Sequence, residues 1–69
     1  MSLVEILKRQ LGKRVVCVHS EGEKSHSVVG VVESVDKDVL VVITDFGVRN
    51  ILPIKQILKV KEIRDEGVR

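Results

Sequence analysis

The segments Val28-Val29-Gly30-Val31-Val32 and Val39-Leu40-Val41-Val42-Ile43 are apolar at every position except one glycine. Side chains alternate between the two faces of a strand, so such strands are greasy on both sides. A small antiparallel sheet has one interior and ordinarily a wetted back. Leu40 and Val42 share one face of the predicted third strand, and Val39, Val41 and Ile43 share the other. In the second strand Val28 and Val32 oppose Val29, Val31 and Val35. A chain of 69 residues forms one small domain with a single interior. The second apolar face has to be met by a helix, by another chain, or by both, because a patch of that size is unusual on a soluble monomer. Self-association is therefore expected; the alternative is that the high valine content only reflects strand propensity. The residues assigned to the contact between copies are Val39, Val41, Ile43, Ile51, Leu58 and Val60. Pairing of edge strands between copies would also hide exposed ladder groups.

The remaining elements follow from local signals. Ser2 and Glu5 have capping-box spacing, and Leu3, Leu7 and Leu11 form a helical stripe that ends at Gly12. A helix is predicted over 3–11, with strands at 13–20, 26–35, 38–44, 48–52 and 57–63. Glu21 to Ser25, Asp36-Lys37 and Phe46-Gly47 read as turns. Pro53 interrupts an apolar run, and proline cannot donate to a strand ladder. Pro53 to Gln56 is read as a 3₁₀-like corner between two strands. The fold class predicted is mainly β: an N-terminal helix, then a five-stranded, strongly bent small barrel over 13–63, with a frayed tail over 64–69.

Composition narrows the class further. Hydrophobic residues make up 43% of the chain, which excludes a disordered polar segment. The single Cys17 excludes an intramolecular disulfide framework. No apolar run approaches the roughly 18 residues of a membrane span, and no signal-peptide pattern opens the chain. A cytoplasmic protein is expected, without a membrane partner. A net charge of +2 permits a nucleic-acid partner without demanding one.

Gly30, Val32, Val35 and Asp36, followed by Val39, resemble in order and spacing the first signature of the Sm-like family. Leu11-Gly12-Lys13 and Leu52-Pro53-Ile54-Lys55-Gln56-Ile57 are similar to segments of small Sm-like proteins from spore-forming bacteria. The likeness spans nearly the whole chain. It implies an SH3-like barrel, a ring in which the fourth strand of one copy pairs with the fifth of the next, and single-stranded RNA bound in the pore. The RNA-reading positions depart from the family. Asp38 stands where a base-stacking side chain is expected, and Leu40 where an asparagine reads the base. Pro53-Ile54 replaces the Arg-Gly of the second signature, and Ile54-Lys55 replaces the Lys-His pair of the bacterial Hfq branch. Stacking contributes roughly 1–3 kcal/mol per base, so uridine recognition of the family type is not expected.

Three other groups carry chemistry. Lys8, Arg9, Lys13, Arg14 and Lys55 are candidate phosphate contacts, which repetition in an oligomer would multiply. As the bland alternative, they are a solvated face. Cys17 and His19 share a strand face, and a hairpin centred on Gly22-Glu23 puts His19 opposite His26. These three are a candidate metal set, with Glu21 or Glu23 in reach; the alternative is a small buried thiol and two exposed imidazoles. No Gly-rich phosphate loop or oriented nucleophile is present, so no enzyme activity and no cofactor is expected. The expected role is assembly or binding. Nucleic-acid binding with weak sequence preference, or a structural part in the spore or cell interior, are the alternatives.

Overall fold

In the computed structural model, which describes residues 2–63, a short helix precedes one five-stranded antiparallel sheet. The elements are α1 (Leu3–Lys8), β1 (Arg14–Glu21), β2 (Lys24–Val35), β3 (Val39–Thr44), β4 (Arg49–Pro53), a 3₁₀ turn (Ile54–Gln56) and β5 (Ile57–Glu62). The predicted tail over 64–69 lies outside the described residues. Among the described residues no helix is long and apolar enough to cross a membrane.

The capping box forms as expected. The Ser2 amide donates to Glu5 Oε1 and the Glu5 amide to Ser2 Oγ, both at 3.2 Å. The helix is shorter than its leucine stripe, because Leu11 leaves it to bridge Val32. Gly12 takes φ 78° and donates its amide to the Val32 carbonyl at 2.9 Å. The sheet thus captures the last turn of the predicted helix.

The strand order is β4-β3-β2-β1-β5. Strands β4 and β5 are the two edges, and no pairing closes them among the described residues. The expected barrel is corrected to a single open sheet. It is nevertheless curled. The edge strands of a flat five-stranded sheet would lie about 19 Å apart, yet the three residues Ile54–Gln56 carry the chain from one edge to the other. Three residues of 3₁₀ rise span only about 6 Å. Pro53 ends the edge strand β4 opposite Val39, with φ −63°, where its missing amide leaves no ladder bond unmade.

Two bulges accompany the curl, at Glu33 on β2, between Val32 and Ser34, and at Leu58 on β5, where Val18 faces Lys59 and His19 faces Ile57. The β2 bulge also changes parity. Val32 faces Val42, and three residues later Val35 faces Leu40, so both valines turn inward. Strict alternation had placed Val35 on the outer face. The interior comprises Leu7, Val15, Cys17, Val32, Leu40, Val42 and Leu52, edged by Val28, Val35, Ile54, Ile57 and Val60. Leu7 is the helix residue that closes the open side. At Gly30 β2 leaves no room for a side chain against β3: an added Cβ would collide with the carbonyl of Ile43 and lie 2.9 Å from the Thr44 Cα.

Core and edge substitutions should therefore separate in denaturant unfolding. Leu40→Ala removes a fully buried side chain and should cost about 2–5 kcal/mol. That approaches the whole stability of a domain this small, roughly 3–5 kcal/mol. Ile51→Ala lies at an exposed edge and, at concentrations where the protein is monomeric, should stay within about 0.5 kcal/mol of wild type. Gly30→Ala should destabilise by about 1–3 kcal/mol through overpacking against backbone.

Candidate assembly and binding surfaces

The outer face of the sheet is built by the residues that alternate with the core. Val16 lies opposite Val29, Val31 opposite Ile43, and Val41 opposite Ile51, which gives a lattice of branched side chains across four strands. Two ion pairs lie across it, each spanning the strand between its partners. Arg14 holds Asp45 at 2.7 Å, and Arg49 holds Glu33 at 3.2 Å. Helix α1 closes the inner side through Leu7, so it does not cover this lattice.

Of the expected contact residues, Val39, Val41 and Ile43 lie half-buried on the outer face of β3. Ile51 on β4 and Leu58 on β5 are 62% and 61% exposed, one on each open edge. Val60 is the exception. It pairs with Cys17 and packs against the core, so it is reassigned to the interior. Leu58 is exposed at the irregularity where β1 steps from Val18 opposite Lys59 to His19 opposite Ile57.

The candidate phosphate contacts are dispersed and partly neutralised. Lys13 is 3.7 Å from Glu62, and Arg14 is engaged by Asp45. Lys8, Arg9 and Lys55 make no ion pair among the described residues. Lys55 and Lys37 rim a groove of about 660 Å³ whose walls include Leu3, Val39, Ile54 and Ile57. Asp38 lines the same groove and adds a carboxylate that opposes a phosphate there. Leu40 is fully buried and presents nothing to a ligand.

At the other end of β1, the hairpin turns on Gly22 and Glu23 as predicted, and His19 lies opposite His26 with ring centroids 6.0 Å apart. Cys17 does not join them. It is fully enclosed by the core, and His26 Nε2 lies 3.1 Å from Glu21 Oε1. Among the described residues no three His, Cys, Asp or Glu side chains are grouped to hold a metal ion. The expected set of Cys17, His19 and His26 is not assembled, because strand sharing aligned the positions while burial separated the thiol from the imidazoles.

Sequence reasoning missed both cross-sheet ion pairs, since Arg14 and Asp45 are brought together only by the sheet register. Comparison of the sequence with protein-family models and with curated proteins finds no match.

Burial pushes the Cys17 thiol above its ordinary value of 9.0 by penalising the thiolate. The folded state therefore holds its proton more tightly than the unfolded chain. The associated stability is complete below the unfolded thiol's value and is lost as pH rises through the folded one. Unfolding of wild type and Cys17→Ala, compared at pH 8 and pH 10.5, should show a steeper alkaline loss in wild type. Thiol labelling at pH 8 should be slow in the native protein and fast in denaturant.

Proposed function

We propose that this chain is a non-enzymatic, self-assembling module of Sm-like type, whose copies join through the open edges of their sheets. The observation that carries this reading is that β4 and β5, the two strands through which the Sm-like family pairs, are the two this sheet leaves open. Each displays a large exposed aliphatic side chain, Ile51 and Leu58. Unpaired strand edges attract further strands, and apolar side chains beside them add area to the contact. The half-buried outer row Val39, Val41 and Ile43 continues the apolar surface inward from the β4 edge.

Nucleic-acid binding is the second reading, favoured by Lys8, Arg9 and Lys55 having no carboxylate partner among the described residues. An oligomer would repeat these cations in every copy and sum weak phosphate contacts. Such binding would be backbone-directed and strongly salt-dependent. A structural role in the spore or cell interior requires the same assembly without that affinity.

Light scattering after gel filtration tests the primary reading. A salt-resistant mass of roughly five to seven copies is expected for a closed heterologous ring. Ile51→Lys, at an exposed edge position, should lower that mass while leaving the circular dichroism unchanged. A wild-type monomer at every concentration rejects the reading. Titration with a single-stranded oligonucleotide at two salt concentrations then separates the nucleic-acid role from the purely structural one.

A further inference from the structure

The β1–β2 hairpin runs past the rest of the sheet. β3 pairs with β2 only from Gly30 onward, and β5 reaches no further along β1 than His19. The end of the hairpin that carries His19, Glu21 and His26 is therefore open to solvent. His19 and His26 are direct register partners, so their side chains share one face of the hairpin. Glu21 joins that face because it lies two residues beyond His19 on the same strand.

The backbone beneath these side chains is fixed. His19 is paired on both flanks, with His26 on β2 and with Ile57 on β5. The Ser20 hydroxyl donates to the Gln56 carbonyl at 3.4 Å, which ties the hairpin to the 3₁₀ turn. Glu21 turns its carboxylate to His26 and not to Lys24, its register partner. A neutral imidazole carries one ring proton. With that proton on Nε2, donated to Glu21 Oε1 at 3.1 Å, the His26 Nδ1 keeps a free lone pair. Among the described residues neither ring nitrogen of His19 is engaged in a hydrogen bond or ion pair.

We infer that His19 and His26 form a two-imidazole site for a borderline divalent transition-metal ion such as Zn²⁺, with Glu21 as the positioning residue behind His26 and water completing the coordination. An imidazole nitrogen sits about 2.0–2.1 Å from zinc, which puts two ring centres on one ion about 5–6 Å apart. The two rings here are 6.0 Å apart and tilted by 36°, so rotation of the side chains closes them on an ion with no change in the backbone. A carboxylate behind a ligating imidazole fixes its tautomer and raises its basicity, which is the part Glu21 plays. Imidazole nitrogens select zinc, copper or nickel over magnesium and calcium, which take oxygen ligands. Cys17 contributes no thiolate, because the core encloses it. The site is complete within one copy and does not depend on self-assembly.

Calorimetric titration of the full chain with ZnCl₂ tests the site. One zinc ion per chain is expected, and MgCl₂ should give no saturable heat. His26→Ala, at a half-exposed position, should abolish zinc binding with unchanged circular dichroism, and His19→Ala should do the same. Glu21→Ala should weaken binding by about tenfold, whereas Glu23→Ala, on the turn itself, should leave it unchanged. Cys17→Ala should still bind. A wild type that takes up no zinc at millimolar concentration overturns the site. So does a folded double variant, His19→Ala with His26→Ala, that binds zinc as wild type does. A folded Cys17→Ala variant that no longer binds overturns the two-imidazole assignment as well.

Discussion

The chain must pass from one edge of its sheet to the other in three residues, and the rest of the structure answers to that requirement. β4 and β5 lie at opposite ends of the strand order but are joined only by Ile54–Gln56. A flat sheet cannot satisfy so short a link, so the sheet curls. The bulges on β5 and β2 relieve the pairing where it does so. Gly30 lets β2 lie against β3 with no side chain in the way. Pro53 stops β4 at the corner and begins the turn with a φ it already holds.

Curling gives so small a protein an interior, but leaves it open on one side. Leu7 fills that side, and the capping box at Ser2 and Glu5 sets the start of the short helix that presents it. Six helical residues would be marginal alone; packing of the buried leucine supplies what propensity does not. The buried set contains no polar or charged side chain. Among the described residues charge is carried on the outside, where the pairs Arg14–Asp45 and Glu33–Arg49 span the valine lattice over β2 and β3.

Local features were legible in the sequence because their causes are local. The cap at Ser2, the turns at Gly22 and Gly47, the corner after Pro53 and the opposition of His19 to His26 each follow from residues a few positions apart. The division of β3 into Leu40 and Val42 against Val39, Val41 and Ile43 was also readable, but not which set faces inward, since both are equally apolar. Other features depended on partners distant in sequence. The bulge that turns Val35 inward has no compositional mark, and Leu11 abandons the helix only because Val32 is there to receive it. Val60 was expected at a contact between copies, yet its pairing with Cys17 fixes it inside. The candidate metal set failed for a related reason: strand parity aligned Cys17 with the histidines, while the depth of the core differed along the strand.

The two open edges belong to different strands, and this has a geometric consequence. Copies joined β4 to β5, as proposed, would repeat by rotation and share one orientation. Every α1, with Lys8 at its C-terminal end and Arg9 capping it, would then emerge on the same side. Such an assembly would have a front and a back, told apart by the side on which the helix ends stand.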